Sequence, residues 1–180
     1  MRICETQAEL EEVLGQLKLA PCPHCRRVGW LIRHGFLRGY DDQHPRRKTV
    51  RAQRVCCSNR NRAGGCGRTF SIWWAGKVVR LFLTAESLWK FLVNSVTTGN
   101  KRQAFRDLKC GLSESAPYRI WKRFLEAQSA IRTALVSLCE PPQLASHQPA
   151  ALTLAHLQAA CGDHPCPLVA FQVRLQVRCM

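Results

Sequence analysis

The 180-residue sequence predicts an α+β protein: a small three-stranded antiparallel sheet unit, then helices, then a short C-terminal extension. Three observations carry that expectation. Apolar residues recur at helical spacing near the start and again after residue 80. Between these regions lie short runs of branched and aromatic residues, broken by glycine, proline and asparagine as strands are broken by turns. Cysteines flank that middle stretch, which has too little apolar surface to order itself without a staple. The chain divides accordingly into 1–20, 21–80, 81–140 and 141–180.

The first element is a helix over 6–19. Leu10, Val13, Leu14 and Leu17 follow its period, and Glu9, Glu11 and Glu12 sit in the early turns where the helix dipole favours anions. Pro21 ends it. Strands are expected in "GWLIRHGF", "KTVRAQRVC" and "RTFSIWW", with the polar turn "RGYDDQHPRR" between the first two. Thr84 caps a helix through "AESLWKFLVNSV" that Gly99 closes. Asn100 caps "KRQAFRDLKC" with Gln103 at the capping-box position, and Gly111 supplies the C-cap. Ser113 or Ser115 opens a longer helix, in which Pro117 is tolerated only in the first turn. "PPQLASHQPA" reads as a linker. A short helix ("ALTLAHLQAA") and a last strand ("AFQVRLQVR") are expected beyond it.

Charge is unevenly distributed. Residues 22–80 carry fourteen Lys or Arg and two Asp, net +12 of the chain's +15. Such a segment repels itself unless a polyanion relieves it, so nucleic acid is the expected partner, ahead of a merely soluble basic surface or a membrane-surface patch. No run reaches the roughly 18 apolar residues of a membrane span. The acidic, amphipathic start has no signal-peptide pattern, so the expected location is cytoplasmic, nucleoid-associated. There, clustered thiols more often bind metal than form disulfides, and eleven cysteines is an odd number.

Cys22 and Cys25 form a Cys-x-x-Cys knuckle around Pro23. Zinc in a structural role takes four ligands in a closed tetrahedron. Cys66, directly before "GRTF", is the third ligand, and Cys56 or Cys57 the fourth. Cys57 is preferred because it stands where the strand exits into the loop. The spacing is then C-x2-C, thirty-one residues, C-x8-C, with Gly64 and Gly65 letting the long loop return. His24, His34 and His44 are alternative ligands; a redox Cys-x-x-Cys or buried unliganded thiols are the competing readings. One structural Zn2+ bound this way would leave no open coordination position for hydrolytic chemistry.

The pattern "CPHC…QRVCC…CGRTF" followed by helices resembles the zinc ribbon plus helix-turn-helix of bacterial insertion-sequence transposases and their DNA-binding accessory proteins. It extends over about residues 20–127. The resemblance implies Cys22, Cys25, Cys57 and Cys66 as zinc ligands and DNA binding as the role. The eight-residue second gap is longer than the family's usual two, and no catalytic-domain pattern follows.

In the helix-turn-helix reading the longer helix lies in the major groove. Trp121, Phe124, Leu125 and Gln128 form its buried side, and Ser115, Tyr118, Arg119, Lys122 and Arg123 lie on or near the outward side. Arg119 would fork onto guanine. Lys101, Arg102 and Arg106 suit backbone contact. Arg46, Arg47, Lys48, Arg51, Arg54, Arg60 and Arg62 of the ribbon would clamp phosphates. The acids after residue 80 fall mostly on expected helices without a strand–helix alternation, so catalysis is not expected. His156, Cys161, His164 and Cys166 could form a second zinc site, but the region is read first as an add-on that packs on the helices or mediates self-association. Partners in this reading are DNA and possible self-association or a recombinase or transposase, with no membrane. The competing classes are a protein- or RNA-associated zinc module and the remnant of a longer transposase.

Overall fold

A computed structural model describes residues 2–60, 64–110, 113 and 115–180. It is α+β, as the sequence indicates, but the sheet has four strands in mixed arrangement. In chain order the elements are β1 (Arg2–Cys4), α1 (Gln7–Gly15), β2 (Leu31–Gly39), β3 (Thr49–Cys57), β4 (Thr69–Trp74), α2 (Ala85–Thr98), α3 (Lys101–Arg106), α4 (Ala116–Leu135), α5 (Pro149–Cys161) and α6 (Pro167–Leu175).

The three expected strands form the antiparallel part of the sheet. β1 adds to it in parallel beside β4, giving the order β1-β4-β3-β2. That fourth strand corrects the three-stranded expectation. Three residues carry no readable period, and only the open edge of β4 makes them a strand.

Each face of the sheet is covered by a different core. On one face Leu10, Leu14 and Leu17 pack with Cys4, Leu31, Val55 and Ile72. On the other, Ile3 and Trp73 join a core built from the helices. There Phe91 meets Phe105 and Trp121 edge-on, at 5.7 and 6.5 Å between ring centroids, which ties α2, α3 and α4 together.

Local signals explain most element ends. Thr6 Oγ1 accepts from the Glu9 amide, and Thr84 Oγ1 from the Ser87 amide. Gly99 closes α2 in the left-handed region at φ 69°. Asn100 Oδ1 accepts from the Gln103 amide, while the Gln103 side chain turns forward to Asp107 rather than back to the cap. α3 therefore has a single-sided cap; separately, it ends at Arg106, short of the expected run to Cys110. Gly111, the expected C-cap, lies outside the described residues. Pro117 occupies the first turn of α4.

The expected last strand is a helix. "AFQVRLQVR" alternates, but Leu168, Val169, Ala170, Phe171 and Gln172 are buried on consecutive positions, which the two faces of a half-exposed strand would not allow. Pro167 starts it in a position where its missing N–H costs nothing. Leu154, Leu157, Leu168 and Phe171 belong to the same core as α2 and α4. Among the described residues, no helix is long and apolar enough to cross a membrane.

Candidate metal centre

Four sulfurs converge where the turn before β2 meets the loop between β3 and β4. The Sγ atoms of Cys22, Cys25, Cys57 and Cys66 all lie within 4.8 Å of one another. Cys22 stands 3.8 Å from Cys66, and Cys25 3.8 Å from Cys57. A tetrahedral ion with metal–sulfur bonds of about 2.3 Å requires sulfur–sulfur edges of about 3.8 Å, so the donor set fits one such ion.

The backbone builds the cage. The Arg26 amide donates to the Cys22 carbonyl and the Cys22 amide to the Arg27 carbonyl, which closes the first knuckle. The second is closed by Gly67 N–H to the Cys57 carbonyl and Gly65 N–H to the Ser58 carbonyl. The amides of His24 and Cys66 point at Cys22 Sγ (3.4 Å) and Cys57 Sγ (3.3 Å), as amides do toward thiolates. A side chain at Gly65 would collide with the Ser58 carbonyl at 2.1 Å, so the eight-residue loop can return only through a glycine there. Gly64 has φ +90°, and its missing side chain leaves the space that the Trp30 ring fills.

Protonation within the cluster is polarised. Burial opposes ionisation of Cys22, but the Cys25 and His24 amides and the thiols of Cys57 and Cys25 outweigh it and lower its pKa to about 7. Burial pushes Cys57 up to about 12, and its hydrogen bonds to the neighbouring sulfurs add to the rise against the opposing Cys66 amide. One thiolate forms readily and the next must form beside it, so a bound cation is what would allow all four to ionise.

Cys56 points away from the cluster, toward the Gly67 carbonyl at 3.9 Å. His24 and His34 are exposed, and His44 turns to Asp41 (3.4 Å). In the C-terminal region His164 meets Glu5 at 2.7 Å, and His156 meets the Cys139 carbonyl at 3.0 Å. These residues do not converge, and the four-sulfur cluster is the single metal-type group among the described residues.

The cationic residues singled out in the sequence fall into three settings. Arg46, Arg47, Lys48 and Arg60 are exposed around the sheet unit, and Arg54 is half-buried; Arg62 lies outside the described residues. Ser115, Tyr118, Arg119 and Lys122 are exposed along the start of α4, and Arg102 and Arg106 on α3. Lys101 is half-buried, 5.1 Å above the Trp121 ring, and Arg123 donates to the carbonyls of Arg80 and Val79. Leu125, expected on the buried side of α4, is 47% exposed.

Arg51 departs furthest from expectation. It is buried, and its guanidinium donates to the carbonyls of Tyr40, Val78 and Leu81. It clamps the β2–β3 hairpin to the segment leading into α2 instead of facing solvent. Asp41 and Asp42 do the same work. Asp41 is fully buried, pairs with Lys77 and accepts from Thr49 Oγ1 and the His44 amide. Burial alone would raise its pKa, but these partners together hold it at about 2. Asp42 accepts from the Thr84 amide at 2.8 Å. Sequence reasoning saw only two acids in a basic turn; their inward direction depends on partners up to 42 residues away.

No family model, curated protein or solved structure matches this chain. Its chemistry therefore rests on its own residues.

Proposed function

We propose that this protein is a non-catalytic, zinc-dependent DNA-binding protein, of the kind that serves a mobile element as a transposase-like accessory or regulatory protein. One observation carries the reading. Ten Arg or Lys side chains between residues 22 and 80 are exposed, while the segment's two acids, Asp41 and Asp42, are engaged with internal partners. The outer charge of this unit is wholly positive among the described residues, as expected of a surface that meets a polyanion.

The four-sulfur cluster is read as a Zn2+ site. A tetrahedral all-sulfur set suits zinc, and such an ion has a structural role because no coordination position stays open. Its function is to hold the cation-bearing strands at fixed spacing. Arg46, Arg47 and Lys48 contact phosphates, and the start of α4, with Tyr118, Arg119 and Lys122 exposed, presents side chains to base edges.

The test is binding of the zinc-loaded protein to duplex DNA flanking its gene, measured by footprinting and by affinity at several salt concentrations. With about 6–10 phosphate contacts, affinity should drop on the order of a thousandfold between 50 and 200 mM salt. A response flatter than about tenfold, or no protected element, removes the proposal.

A further inference from the structure

β2 is an edge strand, and Arg33, His34, Phe36, Leu37 and Arg38 are all exposed, so both of its faces are open over this stretch. A long exposed edge with apolar side chains is a liability unless something uses it. Its irregularity has a specific effect. Arg33 pairs with Val55 and Phe36 with Gln53, so β2 carries one extra residue between them, at the bulge containing Gly35 (φ +96°). Val55 and Gln53 share a face, and the bulge therefore brings Arg33 and Phe36 onto that same face. At the next irregularity, after Leu37, the extra residue belongs to β3, so the alternation of β2 continues through Arg38, and Tyr40 directly follows the strand's last residue, Gly39. The outcome is a row of cation, aromatic, cation, aromatic: Arg33, Phe36, Arg38, Tyr40.

The row is held rigid. Buried Gln53 donates to the Gly35 carbonyl (2.6 Å) and fixes the bulge. The cysteine cluster adjoins one end of β2, and the Arg51 and Asp41 contacts pin the other. Phe36 and Tyr40 remain 53% and 45% exposed, with Lys48 at 5.9 Å over the Tyr40 ring.

We propose that this row binds single-stranded nucleic acid, with Phe36 and Tyr40 stacking on unpaired bases and Arg33 and Arg38 holding the backbone between them. The proposal rests on the DNA-binding reading and narrows it to a strand form. Phe36 and Tyr40 stand four positions apart, a span of about 13 Å along extended backbone. Bases stacked in a helix lie about 3.4 Å apart, so two neighbouring stacked bases cannot meet both rings, and a strand that uses both must be unstacked, with its bases splayed or at least one nucleotide between them. A second copy of this chain is the less fitting occupant, because edge-to-edge pairing would set the arginines of one β2 near those of the other.

The experiment is fluorescence anisotropy of the full, metal-loaded protein with a labelled oligothymidine and with a mixed-sequence duplex of equal length. The oligothymidine is expected to bind more tightly. Phe36→Ala with Tyr40→Ala should weaken it by about a hundredfold, on the order of tenfold per ring, and change duplex affinity less than threefold. Phe36→Leu with Tyr40→Leu, which keeps apolar bulk, should lose nearly as much, and metal content of both variants should match the parent. Duplex binding with no single-strand preference, or equal losses on both probes, overturns the stacking row and leaves the DNA-binding reading standing. Failure of both probes to bind removes both. A sedimentation change in the variants without nucleic acid would assign the face to a second copy and also overturn the proposal.

Discussion

Replacing Asp41 by Asn tests the junction that fixes the sheet unit against the helices. The carboxylate is fully buried, and its folded pKa of about 2 lies below the ordinary 3.8. Ionised Asp41 is therefore favoured by folding. That depression corresponds to about 2–3 kcal/mol of stabilisation. Asparagine keeps the volume and one acceptor but leaves the Lys77 ammonium, 16% exposed, without its counter-charge. Breaking a largely buried pair in this way costs about 3–5 kcal/mol in comparable cases. The expected loss at pH 7 is thus about 2–4 kcal/mol, read by urea unfolding of metal-loaded protein with metal content checked in parallel. The pH dependence has a definite sign. Because the folded pKa is depressed, the stabilisation is complete above the unfolded value of 3.8 and is lost as pH falls through about 2. The difference between parent and variant should be constant from pH 5 to 7 and shrink below pH 4. Subtracting the variant removes the acid-driven loss of metal common to both proteins. A loss under about 1 kcal/mol at pH 7, or a difference that grows toward acid, refutes the reasoning.

Other outcomes follow from the same geometry. Native mass spectrometry should find one zinc per chain. Cys57→Ser should abolish it, Cys56→Ser should retain it, and chelation should unfold the sheet unit because the binding free energy is its folding free energy. Gly64→Ala places a methyl group 2.2 Å from the Trp30 ring and in the left-handed region, so a melt should show a loss of about 2–4 kcal/mol. Adding Trp30→Ala should recover only the collision. Leu157→Ala, at a fully buried site on α5, should lower stability by about 2–5 kcal/mol; a loss below about 1 would mean that α5 contributes little to the core. In selection of bound sequences from a random pool, Arg119→Ala should relax the preference at one base position, while Arg46→Ala with Arg47→Ala should weaken all sequences alike. Identical effects would remove α4 as the reading helix.

Most caps, the first cysteine knuckle and the antiparallel strands were legible because each depends on neighbours in sequence. Thr84 and Asn100 take their expected capping positions through amides three residues on, and Thr6, read as the first residue of its helix, caps α1 in the same way. The Cys-x-x-Cys turn declares itself at two-residue spacing. Between Cys56 and Cys57, strand parity did not decide; the fold turns Cys57 into the cluster because its partners Cys66 and Leu31 stand on that face. β1 and α6 were illegible for opposite reasons. One is too short to show a period. The other shows a two-residue alternation, but its first half is buried on consecutive positions, including Gln172, which the alternation would have turned outward.

What the sequence alone determined is a basic, cysteine-rich sheet unit joined to helices, because charge balance, cysteine spacing and helical period are properties of the linear chain. Tertiary structure alone decided which charges face solvent. Arg51, Asp41 and Asp42 turn inward because, among residues 77–84, the Val78 and Leu81 carbonyls, the Lys77 ammonium and the Thr84 amide respectively meet them there. A single inserted residue near Gly35 aligns Arg33 with Phe36, since a one-residue shift in a strand of period two exchanges its faces.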